Sequence, residues 1–191
     1  MGIRGLNALI KKHSPDCITY NDIKKYYGKI VAIDCSILLY KFKYASKVEN
    51  SHLIGIANRV KFYVMNGILP VFIFDGVPPD AKSVTLEKRH AAKEKIYLRL
   101  EELREKVPEN FQDKKDISDE IEKLQSQIIV VKKYHVEQCK EFLEKSGIPY
   151  CTAPNDAEKY CAFLQRNKLV DYTITDDSDA LTFGCSIVLK T

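Results

Sequence analysis

Acidic side chains stand in this chain where a parallel sheet would gather them. The apolar run Ile30-Val31-Ala32-Ile33 ends at Asp34, and Val71-Phe72-Ile73-Phe74 ends at Asp75. Tyr172-Thr173-Ile174-Thr175 runs into Asp176-Asp177-Ser178-Asp179, and Asp156 and Glu158 open a segment that follows Pro154. Short β-rich runs of this kind point to buried parallel strands. Ligands of such sheets bind beyond the carboxyl ends of the strands. Six carboxylates collected there (Asp34, Asp75, Asp156, Glu158, Asp177 and Asp179) would repel one another and resist ionising together. A hard divalent cation removes that conflict, and Mg²⁺ selects oxygen ligands. Two ions about 3.5–4 Å apart could stabilise both the attacking water and the leaving oxygen of a phosphodiester. The indicated chemistry is metal-assisted reaction at phosphate.

Each acid also has a plainer reading. Asp156, or its neighbour Asn155, could cap a helix, and a lone aspartate after a strand is commonly a turn former. The pattern as a whole is harder to explain that way, because each strand read from the sequence with a clear apolar run ends in acid. His13, His52, His90 and His135 all lie away from these motifs. A histidine base is not required where a cation acidifies water. Cations follow Asp75 in sequence: Lys82, Lys88, Arg89, Lys93 and Lys95. Lys82, Arg89 and Lys93 are spaced by seven and four, so one helix face could carry all three. Beside a metal site that face would hold a scissile phosphate and offset its developing charge. Glu87 and Glu94 dilute the run.

The elements that must position these groups follow from periodicity. Residues 3–12 have helical spacing, and a second helix is predicted from an Asn21 cap to Gly28. Strand 30–34 follows, then helices 36–46 and 53–66, strand 70–74, and a loop forced by Pro78-Pro79. Residues 82–127 are dominated by charge and predict a helical pair, broken at Pro108 and Asn110, with its second helix from Ser118. Such a length exceeds that of an ordinary connection. A helix over 132–146, a short strand at 148–151, a helix over 156–167 and strands at 171–175 and 186–190 complete the chain. The fold class is α/β: one domain with a protruding helical part.

Composition narrows the classes. The chain has 191 residues, 45% of them hydrophobic, enough for a core, and a formal charge of 30 − 26 = +4, which says little by itself about nucleic acid. Six cysteines form no C-x-x-C pair, which argues against a zinc site of usual spacing and for buried reduced thiols. No signal peptide or membrane-length apolar run is read from the sequence. Leu6 argues against myristoylation. A membrane partner is therefore not expected, and a reducing, intracellular setting is.

The motifs together resemble the flap endonucleases, structure-specific 5′ nucleases with a PIN-like core. The resemblance rests on Met1-Gly2-Ile3-Arg4-Gly5-Leu6, Val31-Ala32-Ile33-Asp34, Tyr40 and Val71-Phe72-Ile73-Phe74-Asp75-Gly76-Val77-Pro78-Pro79. It continues through Gly147-Ile148-Pro149-Tyr150, Ala153-Pro154-Asn155-Asp156-Ala157-Glu158 and Thr175-Asp176-Asp177-Ser178-Asp179-Ala180-Leu181-Thr182-Phe183-Gly184. It spans essentially the whole chain. It implies a mainly parallel sheet flanked by helices, with a helical arch inserted at 81–131 in a single nuclease core at 1–191.

The resemblance also implies roles. Asp34, Asp75, Glu158, Asp177 and Asp179 become metal-site carboxylates for two Mg²⁺ ions, with Mn²⁺ able to substitute. Asp156 stands where the family usually has Glu, so its shorter arm reaches a metal directly or through water. Lys82 and Arg89 become the pair that steers the scissile phosphate, and Lys93 a further DNA contact. Tyr40 becomes the aromatic on which a base stacks, and Gly2 a residue brought close to the active site. The implied partner is DNA with a 5′ flap or a single-strand/duplex junction, and the implied location the nucleus or another replication compartment. The family's helix-hairpin-helix region, seventh carboxylate and clamp-binding tail are expected to be absent, and contact with a sliding clamp is not expected. Two rival readings are a PIN-like ribonuclease and a truncated DNA-junction binding module.

Overall fold

The computed structural model describes residues 3, 5–46, 48–77, 83–107, 111–128 and 130–190, with 83–92, 126 and 127 described as backbone only. The chain forms two compact units, Met1–Pro78 with Lys132–Thr191, and Pro79–Val131.

The larger unit is built on five strands: β1 (Ile30–Asp34), β2 (Leu69–Phe74), β3 (Tyr150–Thr152), β4 (Tyr172–Ile174) and β5 (Val188–Leu189). They lie in the order β3-β2-β1-β4-β5, and every pairing is parallel. The chain works outward from β1 to one edge, then returns to start the other edge at β4. That reversal between β1 and β4 is the place where an open parallel sheet forms a crevice at its carboxyl end. The register sets Ile33 of β1 opposite Ile174 of β4, so Asp34 and the acidic stretch after β4 emerge side by side.

β1 is central and covered on both faces: Val31, Ala32 and Ile33 are fully buried, as its unbroken apolar sequence requires. Side chains alternate across a strand, and β2 shows the two faces. Ile73 points to a cluster with Ala32, Ala157, Cys161 and Leu164, which places α7 (Ala157–Arg166) on one side. Phe74 points the other way, edge-on to Tyr150 at 6.1 Å and under Lys140 at 5.6 Å. That side carries α6 (Lys133–Lys145). Also in this unit are α1 (Leu6–His13), α2 (Cys35–Ala45), α3 (Ser51–Met65) and the one-turn α8 (Asp179–Thr182). The small residues Ala157 and Cys161 let α7 approach the sheet closely, which draws the start of that helix toward the ends of β1 and β2.

Gly76 locks the loop after β2. A Cβ there would stand 1.9 Å from the Ala153 carbonyl oxygen and 2.7 Å from that of Pro154. Its own N–H donates to the Asn155 carbonyl at 2.7 Å. Only glycine fits, and the contact ties Asp75 to the turn that opens α7.

The smaller unit is a helix pair, α4 (Ser83–Glu105) and α5 (Phe111–Gln127). Leu100 and Leu103 are buried, and Arg99 pairs with Glu120 on α5 at 3.0 Å and with Glu102 at 3.0 Å. α5 begins seven residues before the predicted Ser118, since nothing between Phe111 and Ser118 breaks a helix, and Gln112 donates to Asp116 one turn on at 2.9 Å. The helix predicted after Asn21 is a short 3₁₀ turn, Ile23–Tyr26, capped by Asp22 instead, whose carboxylate accepts from the Lys24 N–H. No described helix is long and apolar enough to cross a membrane.

Candidate metal centre

The strand-end acids meet. Asp34 is the last residue of β1 and the cap of α2, and it is buried. Its Oδ1 accepts from the Ser36 N–H at 2.9 Å, and its Oδ2 from the Thr175 hydroxyl at 3.1 Å. The Ser36 hydroxyl in turn donates to Oδ2 of Asp75. The other oxygen of Asp75 accepts from the Ala157 N–H at 2.8 Å, at the first residue of α7 and next to Glu158. An acid at a helix N-terminus is well placed electrostatically, so Asp75 anchors the helix that carries Glu158.

Glu158, Asp177 and Asp179 form the tightest group. Each offers an oxygen, and the three oxygens lie within 4.8 Å of one another. The loop carrying the two aspartates is wound by its own side chains. The Asp177 N–H donates to the Thr175 hydroxyl at 3.1 Å, and the Asp179 N–H to Oδ1 of Asp177 at 3.0 Å. Thr175 therefore joins the β1 and β4 ends, its hydroxyl donating to Asp34 and accepting from the Asp177 backbone N–H.

The electrostatics record the crowding. Burial, with a further contribution from Asp75, pushes the Asp34 carboxyl up to about 6. Burial pushes Glu158 up to about 8, reinforced by Asp177, Asp34 and Asp179 and by a hydrogen bond to Asp177 that suits the protonated form. Two carboxyls are thus held toward their neutral forms, first by burial and then by the neighbouring acids. The donors are all carboxylate oxygens, the ligand type that hard divalent cations take, so this cluster is able to hold a metal.

Asp156 stands apart from that trio. It is the cap residue of α7 and lies 3.6 Å from Lys159. Tyr40 is exposed on α2, six residues beyond Asp34. Its neighbour Lys41 pairs with Asp176, which brings a cation to the acidic loop. Lys93 is half-buried on α4, in the smaller unit, and Arg89 lies one turn before it. The side chain of Arg89, and Gly2 and Lys82 altogether, lie outside the described residues. Next to Gly2, however, the Ile3 N–H donates to Oδ1 of Asp179 at 2.7 Å.

Sequence reading missed Ser36, Thr175, Asn7, Ser178 and Lys190. The first two carried a signal. A hydroxyl two residues after Asp34, and another two residues before Asp177, sit where side chains bond to nearby backbone and acid groups. Asn7 carried none, because its partners Ser178 and Lys190 lie 171 and 183 residues away, and Lys190 reads as an ordinary surface cation.

The XPG N-terminal domain matches residues 1–96 and the XPG I-region residues 147–191. Flap endonuclease 1 of Xiphophorus maculatus is 38% identical over 204 residues, covering all of this chain and 50% of that protein. The chain spans about half the length of the curated relatives it matches. Among solved structures, the catalytic core of Rad2 in complex with DNA substrate superposes with a TM-score of 0.70 at 28% identity, over 99% of this chain and 50% of that one. Flap endonuclease-1 from Methanococcus jannaschii superposes at 0.61 with 26% identity, over 90% and 56%. The parallel sheet with flanking helices is therefore the PIN-like core of these nucleases, and the chain belongs to the XPG family of flap endonucleases.

Proposed function

We propose that this chain is the core of a structure-specific 5′ nuclease that hydrolyses DNA phosphodiesters with two Mg²⁺ ions, in DNA replication and repair. The observation that carries the reading is the convergence of Asp34, Asp75, Glu158, Asp177 and Asp179, from four separate segments, at the carboxyl end of the sheet. Their all-oxygen donor set fits Mg²⁺, with Mn²⁺ as a substitute. When bound, the cations lower the pKa of water and neutralise charge that builds on the phosphate.

The protein's own groups do the rest. Thr175 and Ser36 fix the Asp34 and Asp75 carboxylates, so the donor oxygens are set before a cation arrives. Asp156, one turn from Lys159, completes the acidic lining of the α7 start. Lys82, Arg89 and Lys93 supply cations to the scissile phosphate, and the Pro79–Val131 unit serves as the arch around a 5′ single strand. Exposed Tyr40 gives a stacking face for a base near the cut, a contact worth about 1–3 kcal/mol. Gly2, next in sequence to Ile3, whose amide is bonded to Asp179, is assigned a DNA contact as the family resemblance implies. An intracellular place beside replicating DNA, the nucleus in particular, fits this activity.

The test is single-turnover cleavage of a labelled 5′-flap DNA in Mg²⁺ and in EDTA. Mg²⁺-dependent cutting near the junction, leaving 5′-phosphate, is expected. Junction binding without cleavage would mark the chain as a binding module, and preference for an RNA hairpin as a ribonuclease.

A further inference from the structure

Helix α1 lies by the metal centre with little apolar burial to hold it there: Leu6 and Ile10 are half-buried. None of its residues is buried, and Ile3 and Leu9 are 52% and 56% exposed. Hydrophobic contact usually fixes an amphipathic helix to its domain. Here polar contacts with the acidic loop add to that partial burial. The Ile3 N–H bonds to Asp179. The Ser178 hydroxyl, between Asp177 and Asp179, donates to Oδ1 of Asn7 at 2.8 Å. Lys190, just beyond β5, donates to the same Asn7 oxygen at 3.1 Å and to the Ser178 hydroxyl at 3.1 Å.

We propose that Lys190 is a positioning residue for the metal centre. Through Asn7 and Ser178 it joins the first turn of α1, the Asp177–Asp179 loop and the end of β5, and so sets the spacing of the loop carboxylates. The geometry requires a group of its kind. An ammonium has three donors and no acceptor, so it can bond two oxygens at once. Ser178 spends its single proton on Asn7 and still has lone pairs for Lys190. With Lys190 removed, Asn7 keeps one donor of two and Ser178 loses its only described one. The loop would then keep its bonds to Ile3 and Asn7 and its own bonds through Asp177 and Thr175, but lose its side-chain tie to the end of β5. Groups that orient metal ligands from one shell out typically alter affinity by roughly 10–100-fold. This inference rests on the metal-site reading given above.

The experiment compares Lys190→Met and Lys190→Arg with the unmodified chain by two readouts. One is Mg²⁺ titration by calorimetry; the other is amide exchange over residues 6–13. Lys190→Met should weaken Mg²⁺ by roughly tenfold or more and speed exchange in α1, with Lys190→Arg recovering most of both. In flap cleavage it should lower kcat with little change in KM for DNA. If Lys190→Met fails to fold, Asn7→Ala and Ser178→Ala carry the same comparison. Unchanged Mg²⁺ affinity, whether or not α1 loosens, overturns the positioning role. Failure of the unmodified chain to bind Mg²⁺ overturns the metal-site reading and this inference with it. Faster exchange in α1 would then show a tether alone.

Discussion

Carboxylates gathered without a cation should make this protein less stable as pH rises through neutrality. Asp34 carries the argument because it is buried and bonded at both oxygens. Its carboxyl titrates near 6 in the fold, against 3.8 as the ordinary value. The folded state therefore holds its proton more tightly than the unfolded chain does. Stability from this group is fully present below the unfolded value and is lost as pH rises through the folded one. The whole loss is about 3 kcal/mol, roughly half of it between pH 5 and 7.5. Glu158, raised for the same reasons, adds to the same slope. His135 acts in the opposite direction. It is buried, and its pKa is lowered by that burial and by Lys43, His52 and Lys132, so acidification below the ordinary histidine range costs stability. The comparison that isolates the acids is therefore the unmodified chain against Asp34→Asn. Urea midpoints in EDTA at pH 5 and pH 7.5 should show Asp34→Asn gaining about 1–2 kcal/mol relative to the unmodified chain at the higher pH. Saturating Mg²⁺ should narrow that difference, because Asp34→Asn keeps the Glu158, Asp177 and Asp179 group but loses a cation held by Asp34, whose binding is worth about 2.7 kcal/mol at a hundred times Kd. Parallel pH slopes for the two proteins in EDTA would refute the reasoning.

Other substitutions test separate parts of the site. Asp177→Asn keeps an oxygen for the Asp179 N–H, so it should fold normally, yet lose Mg²⁺-dependent cleavage by about a hundredfold or more, read in single-turnover assays beside a thermal melt. Gly76→Ala should cost about 1–3 kcal/mol in urea unfolding, because its Cβ meets backbone at 1.9 Å that a side-chain rotation cannot relieve. Arg89→Ala should slow the chemical step more than it weakens flap binding, measured as single-turnover rate against a binding titration. Equal losses would mean that Arg89 only attracts DNA. Tyr40→Ala should weaken flap binding by about 1–3 kcal/mol without moving the melting temperature, since the ring is exposed.

Much of the fold was legible because the governing pattern is local. An unbroken apolar run such as Val31-Ala32-Ile33 can be satisfied only in the middle of a covered sheet, and the acid after it must then emerge at the strand end. The same logic placed Asp75 and Asp177; the loop expected at Pro78-Pro79 lies outside the described residues. Two kinds of feature stayed out of reach. Short turns depend on a cap, and Asp22 in place of Asn21 altered both the start and the helix type. Long-range polar contacts left no periodic trace. Asn7 and Ser178 are 171 residues apart in sequence, and nothing in either neighbourhood announces the other. Lys41 with Asp176 is a similar case: each is an ordinary surface charge until the fold pairs them.

Glu158, Asp177 and Asp179 are proposed to hold a catalytic divalent cation. Crystals of the chain soaked in Mn²⁺ and measured for anomalous scattering test it most directly. A difference peak bounded by oxygens of those three residues is expected, with a second peak toward Asp34, and loss of the first in Asp177→Asn. Strong peaks only at other sites, with the carboxylate cluster empty at saturating Mn²⁺, would contradict it.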